Sequence, residues 1–163
     1  MKMHYSFYDS PIGYLVIITE EGNLTGLIIA TDKTYTNDGA EYIESPDTNP
    51  LHQLIHSQLK DYFQGSRKTF DLPLKPEGTA FQKSVWAVAL EIPYGETITY
   101  GEMAARLGDI NKSRAVGGAL GKNPIPIIIP CHRILGKNGK LTGFSAIGGV
   151  DTKSKLLEIE KLI

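Results

Sequence analysis

Cysteine is nearly absent from this chain: of 163 residues only Cys131 carries a thiol. One thiol cannot close an internal disulfide or supply a cysteine-rich zinc site. Histidine is scarce too, limited to His4, His52, His56 and His132, so neither a structural zinc nor any other metal or cofactor is expected. Long apolar runs are missing. Val85 to Leu90 and Ile125 to Pro130 are among the longest, far short of the ~20 residues of a membrane-spanning helix. The opening residues, Met1-Lys2-Met3-His4-Tyr5-Ser6, place no apolar stretch behind the lysine, which speaks against a secretory signal. A glycine-rich phosphate loop, a Gly-x-Ser-x-Gly elbow and a His-Glu-x-x-His pair are all lacking, so nucleotide hydrolysis, serine-hydrolase and zincin chemistry have no support. What is present is an ordinary globular balance, 41% hydrophobic and 21% charged. A soluble, cytoplasmic protein with no membrane partner is expected, with one thiol to explain.

Net charge is −1, but it is unevenly spread. Residues 101 to 140 hold seven Lys and Arg against two acidic side chains, a net of +5, so the other 123 residues carry −6. A basic segment in an acidic protein attracts a polyanion locally while the whole resists nonspecific binding. A merely solvated basic face fits the same count.

Two halves read differently, and together they predict an α+β fold. Tyr5 to Tyr8, Tyr14 to Thr19 and Leu24 to Ile29 are strand-like runs, separated by Asp9-Ser10-Pro11-Ile12-Gly13 and Glu20-Glu21-Gly22-Asn23, both of turn composition. They predict a small antiparallel meander. Residues 31 to 50 read as a long loop with one further short strand near Tyr42-Ile43. Leu51 to Phe63 has helical spacing (Leu51, Leu54, Ile55, Leu59, Tyr62, Phe63) and stops at Gly65. Leu72 to Gly78, with Pro73 and Pro76, is the expected linker, so the domains are set at residues 1–76 and 77–163. The second half is mostly helical. Thr79 is placed to cap a helix from about Phe81 to Leu90, with Phe81, Val85, Trp86, Val88 and Ala89 as its buried stripe. Thr99 is placed to cap Tyr100 to Leu107, Gly108 breaks the chain, and Ser113 to Leu120 follows as a second short helix. That pair matches a winged helix-turn-helix arrangement, although helices at this spacing occur in many helical proteins. Thr152 to Leu162 closes the chain as an amphipathic helix on Leu156, Leu157 and Ile159.

Cys131 lies in Ile127-Ile128-Ile129-Pro130-Cys131-His132-Arg133-Ile134. A lone cysteine after aliphatic residues is commonly an inert core residue. Here Pro130 restricts the backbone before the sulfur, and His132 and Arg133 raise the local positive potential, which favours thiolate.

The wider segment is more specific. Tyr100, Ser113-Arg114-Ala115-Val116-Gly117-Gly118-Ala119, Asn123-Pro124-Ile125-Pro126 and Ile129-Pro130-Cys131-His132-Arg133-Ile134, in this order, resemble the O6-alkylguanine-DNA alkyltransferase family, the methylated-DNA–protein-cysteine methyltransferases. The resemblance runs from about Phe81 to Glu160, and weakly through Ser10-Pro11-Ile12-Gly13 in the first half. It implies a ribonuclease H-like N-terminal domain and a C-terminal domain that binds double-stranded DNA containing alkylated bases. It also implies irreversible, stoichiometric transfer of an alkyl group from O6-alkylguanine to Cys131 by a protein acting as a monomer. O4-alkylthymine is a further substrate class within that reading.

The same resemblance assigns roles to residues. Cys131 would be nucleophile and alkyl acceptor, His132 would polarise it through a water, and a carboxylate on the last helix would orient His132. The family pattern Lys-x-x-x-Leu-x-x-Glu falls on Lys153, Leu157 and Glu160, which favours Glu160 over Glu158. Tyr100 would give a proton to guanine N3, and Asn123 would brace the turn before the cysteine. Arg114 would fill the gap left by a flipped nucleotide, an extrusion costing a few kcal/mol. Ala115, Gly117 and Gly118 would let the helix approach the minor groove, with Gly118 also suited to helix packing. Lys112, Lys122 and Lys137 would attract phosphates. Phe144, Ser145 and Ile134 would line the base pocket, although Gly143-Phe144-Ser145-Ala146-Ile147-Gly148-Gly149 is two residues longer than the family's usual stretch. Taken alone, each position has a plainer reading: His132 as a surface turn residue, Tyr100 as a helix-start residue, either glutamate as part of a solvated face. A lesion-binding protein without transfer and a helix-turn-helix regulator are the competing functions. Cys131 argues against the first, and the lack of an additional cysteine-bearing domain argues against a sensor-type regulator.

Overall fold

A computed structural model describes residues 2–141 and 149–161. The chain divides into two compact units, Met1–Pro76 and Glu77–Ile163.

In the first unit β1 (Met3–Ser10), β2 (Gly13–Glu20) and β3 (Asn23–Ala30) form the antiparallel meander. Its turns follow from residue chemistry. Glu21 and Gly22 both have positive φ (50° and 80°), the geometry a two-residue hairpin needs to match strand twist. Gly13 has φ 116°, and a Cβ there would sit 2.8 Å from the Ala30 carbonyl oxygen, so only glycine fits. The helix α1 (Pro50–Phe63) starts at Asn49, whose side chain accepts from the Leu51 and His52 amides, and it buries Ile55, Leu59 and Tyr62. Leu54, expected on the apolar face, is exposed.

The core of this unit is partly polar. Ser6 Oγ lies 2.6 Å from His52 Nδ1 and 2.9 Å from His56 Nε2, and His52 Nε2 lies 2.8 Å from Thr19 Oγ1. Burial holds both imidazoles well below their ordinary value, at about 4; at His52 the charges of His56 and His4 add to this.

Two features differ from expectation. The short strand β4 (Glu41–Tyr42) exists but runs parallel to β1, giving the order β3-β2-β1-β4 and a mixed sheet. Part of the expected linker is also tied down. Leu24 donates its amide to the Pro73 carbonyl at 2.8 Å, and Lys75 donates to the Leu24 carbonyl at 2.9 Å. Pro73 contributes only an acceptor here, which is why proline is tolerated at a sheet edge.

The second unit contains α2 (Ala80–Leu90), β5 (Ile98–Thr99), α3 (Tyr100–Arg106), α4 (Ser113–Gly121), β6 (Ile134–Leu135) and α5 (Gly149–Ile159). Thr79 and Thr99 each close a full capping box, with Gln82 and Glu102 returning the bond. On α2 the buried stripe is Val85, Trp86 and Ala89, whereas Phe81 and Val88 are only half-buried. Trp86 is 1% exposed and donates its indole N–H to the Ala119 carbonyl at 2.9 Å, tying α2 to α4. Gly108 (φ 97°) makes the turn after α3, and a single 3-10 turn at Ile110–Lys112 leads into α4. β5 and β6 pair in parallel through Ile98 and Ile134. The last helix ends at Ile159, earlier than its apolar pattern suggested. Glu160 still donates its amide to the Leu156 carbonyl, and Lys161 leaves the helix at φ 62°.

Candidate active site

The approach to Cys131 is a rigid, apolar turn. Asn123, just after α4, donates from Nδ2 to the Ile129 carbonyl and accepts at Oδ1 from the Ile125 amide, both at 2.9 Å. Its side chain therefore clamps both ends of the turn. Ile125, Ile127, Ile128 and Ile129 are buried, and Ile127 holds φ 75°, a left-handed conformation that β-branched residues rarely adopt. Pro130 (φ −81°, ψ 64°) sits at the centre of a tight three-residue turn closed by the Cys131 amide and the Ile129 carbonyl at 2.8 Å. One 3-10 turn, Cys131–Arg133, follows.

That turn carries three chemically active side chains into the interior. Cys131 is 8% exposed and His132 is 0% exposed, so His132 is not a surface turn residue. His132 Nε2 lies 2.6 Å from Glu160 Oε2 and donates its proton to the carboxylate. In the neutral ring this leaves Nδ1 as the acceptor, and Nδ1 is buried without a hydrogen-bond partner among the described residues. Arg133 grips the same carboxylate with a fork, Nε to Oε1 at 2.8 Å and Nη2 to Oε2 at 3.1 Å, and donates from Nη1 to the Ile92 carbonyl at 2.7 Å. Its guanidinium also lies 5.7 Å from the Tyr94 ring centre, and the Tyr94 hydroxyl donates to the Ile159 carbonyl at the end of α5. Glu158 points to solvent.

Burial dominates the electrostatics. It pushes the Cys131 thiol up, opposed by the Asn123 side-chain hydrogen bond and the charge of Lys153. The sequence reading expected His132 and Arg133 to favour thiolate; the charge of Lys153 acts on the sulfur in that direction. Burial also pulls His132 down, against the hydrogen bond and charge of Glu160, while Arg133 and Lys153 add to the lowering. Lys153 is fully buried, donates from Nζ to the Ile134 carbonyl at 2.6 Å, and lies 5.8 Å from the Tyr100 ring centre. Burial lowers it to about 8, with Cys131 pulling the other way.

Tyr100 is half-buried as the first residue of α3, and a Cβ on Gly117 would just touch its ring at 4.0 Å. Arg114, Ala115 and Gly118 are exposed on α4, with Lys112 just before it and Lys122 just after it also exposed. Lys112 also rests 5.6 Å from the Phe81 ring centre. No heavy atom lies within 4 Å of a Cβ built on Gly118, so its small size serves no packing contact among the described residues. Ile134 is a fully buried residue of the β5–β6 pair. Phe144 and Ser145 lie outside the described residues.

Sequence reasoning missed two parts. Arg133 was read only as a source of positive potential, and Lys153 only as a motif position. Its place in Lys-x-x-x-Leu-x-x-Glu beside buried Leu156 and Leu157 was the available signal for Lys153. Among the described residues no group of three or more His, Cys, Asp or Glu could hold a metal ion. No helix there is long and apolar enough to cross a membrane.

Comparison with known proteins gives one answer. Residues 3–76 match the family described as "6-O-methylguanine DNA methyltransferase, ribonuclease-like domain". Residues 80–162 match "6-O-methylguanine DNA methyltransferase, DNA binding domain". A methylated-DNA–protein-cysteine methyltransferase of Methanosarcina acetivorans is 46% identical over 164 residues, spanning 97% of this chain and 98% of the relative. The constitutive methylated-DNA–protein-cysteine methyltransferase of Bacillus subtilis is 40% identical, spanning 98% and 96%. Among solved structures, the O6-methylguanine methyltransferase of Mycobacterium tuberculosis superposes with a TM-score of 0.86 at 42% identity, over 98% of this chain and 93% of that one. The same Mycobacterium tuberculosis protein solved in complex with DNA also gives 0.86, over 97% and 92%. With both units matched in order and almost the full length aligned to several relatives, the chain belongs to the 6-O-methylguanine DNA methyltransferase family.

Proposed function

We propose that this protein repairs DNA by taking the alkyl group of O6-alkylguanine onto Cys131, once per chain. The observation that carries the reading is the buried line from Glu160 to His132, adjoining Cys131, with Arg133 holding the carboxylate. In the transfer the sulfur attacks the alkyl carbon, an S–C bond forms and the C–O6 bond breaks. The thiol proton passes to the Nδ1 side of His132, directly or through water. The departing base takes up a proton from the Tyr100 hydroxyl at N3, which spares it from leaving as a bare anion. Glu160 fixes the His132 tautomer and stabilises the imidazolium as it forms, the logic of hydrolytic triads without hydrolysis. The product is a thioether.

Duplex DNA is the macromolecular substrate in this reading. The exposed face of α4 approaches the minor groove through Ala115 and Gly118, Gly117 gives room beside Tyr100, and Arg114 takes the space of the extruded nucleotide. Lys112 and Lys122 attract phosphates. Phe144, Ser145 and Ile134 remain candidates for the base pocket. Residues 1–76 form the accompanying domain, and residues 77–163 carry both DNA binding and alkyl acceptance. The site is assembled within one chain, which fits a monomer, and one unpaired thiol suits the reducing cytoplasm.

The test is the intact mass of the protein after incubation with duplex DNA carrying O6-methylguanine. A gain of one methylene, mapped to Cys131 and saturating at one lesion per chain, is the expected result. An unchanged mass with tight lesion binding would show a binding protein instead. Cys131→Ala should abolish transfer and keep lesion binding.

A further inference from the structure

The turn after α2 reaches the active-site charges from the side of Arg133 and Glu160. Its ends meet where the Glu96 amide donates to the Pro93 carbonyl at 3.1 Å, and Gly95 takes the second corner at φ 83°, which leaves Tyr94 at the first. From this stretch the Ile92 carbonyl accepts from Arg133 Nη1 at 2.7 Å, and the Tyr94 ring centre lies 5.7 Å from the same guanidinium. The Tyr94 hydroxyl continues past the arginine and donates to the Ile159 carbonyl at 3.1 Å. The last carbonyls of a helix outrun its own amide donors, so a donor from another element fixes where the helix ends. Ile159 is the last residue of α5 and precedes Glu160, whose carboxylate accepts from His132 Nε2 at 2.6 Å. The backbone that carries Glu160 is thus tied to the turn through a phenol oxygen.

We propose that Tyr94 is a positioning residue for alkyl transfer: its hydroxyl anchors the end of α5 so that Glu160 stays in line with His132 Nε2. This rests on the proposed transfer to Cys131. Tyr94 acts through others, from the Ile159 backbone to the Glu160 carboxylate and from there to the imidazole that takes the thiol proton. A hydrogen bond this short weakens steeply when its acceptor shifts, and small misplacements far from the chemistry slow it. Burial lowers the proton affinity of His132, Glu160 raises it, and Arg133 and Lys153 lower it further. Loosening Glu160 while Arg133 keeps its ring contact therefore makes His132 a weaker base.

The experiment compares wild type with Tyr94→Phe, which removes the hydroxyl and keeps the ring on Arg133. Transfer from free O6-benzylguanine is followed across pH, and the His132 Nε2 proton is followed by NMR as a downfield signal, assigned by its loss in His132→Ala. In Tyr94→Phe the maximal rate should fall about 3- to 10-fold at an unchanged half-saturating concentration. The acid limb of that rate should move to lower pH, because a weaker base is protonated later as pH falls. The His132 signal should move upfield as its bond to Glu160 lengthens. A wild-type rate with an unmoved His132 signal in Tyr94→Phe would overturn the proposal. So would slower transfer with both the acid limb and the signal in place, which marks a general loss of stability. The signal does not depend on transfer. A wild-type chain that gains no mass at Cys131 therefore removes the transfer reading and leaves the signal as the test of the anchor.

Discussion

Glu160 is 2% exposed and accepts hydrogen bonds from the Arg133 fork and from His132. An ionised carboxylate in such a place depends on those donors for the solvation it has lost. Arg133→Met would take the guanidinium fork away from that charge. We expect a loss of about 3–5 kcal/mol in stability, read from urea unfolding. The same change should raise the proton affinity of His132, because the Arg133 charge lowers it in the wild type. A histidine already protonated cannot accept from the thiol, so the acid limb of the transfer rate should move to higher pH. Glu160→Gln and His132→Ala should each slow transfer to free O6-benzylguanine and should combine non-additively, with coupling of about 0.5–3 kcal/mol. Additive losses in the double variant would show that the two residues act independently. The sequence pointed to Glu160 through motif spacing, but the Arg133 fork spans 27 positions along the chain and has no local signature.

Among the elements, α4 is unusual for how little its outer face carries: Ala115 and Gly118, with Arg114 at its head, all exposed. Adding a methyl at Gly118 meets nothing within 4 Å, and alanine favours a helix interior by about 0.5–1 kcal/mol. Gly118→Ala should therefore raise stability slightly while weakening repair of duplex lesions, since the added methyl would stand between helix backbone and DNA. Equal activity on duplex and free base would place DNA elsewhere. Arg114→Ala should slow duplex repair far more than reaction with free O6-benzylguanine, which needs no extrusion. Much at this scale was legible because it is local. Thr79, Thr99, Gly65 and Gly108 mark helix ends through chemistry confined to a few residues. What was not legible depends on distant partners. The parallel pairing of β4 with β1 and the capture of Pro73 and Lys75 by Leu24 join segments tens of residues apart. Likewise Ile127 is left-handed because buried neighbours and the Asn123 clamp enforce it, against its own preference.

For the whole molecule, acid should weaken the N-terminal unit through its buried histidines. His52 and His56 are neutral when folded, with values near 4, and return to about 6.5 when unfolded. Unfolding between those limits takes up protons, so stability is full above pH 6.5, declines as pH falls towards 4, and then levels off. Urea midpoints followed by circular dichroism across this range should show the decline, and replacing both histidines by glutamine should flatten it. The near-complete enclosure of Cys131 has a different consequence, concerning selection among reagents. A protein that reacts once is permanently inactivated if a peroxide or stray electrophile reaches its sulfur first. Enclosure at 8% exposure, with burial holding the thiol protonated, makes the sulfur a poor target for anything that does not fit the site. Iodoacetamide should modify the native chain much more slowly than the urea-unfolded one, and the unreacted fraction should retain full capacity for repair. The lifetime of the unused protein would thus be governed by the same walls that admit its substrate.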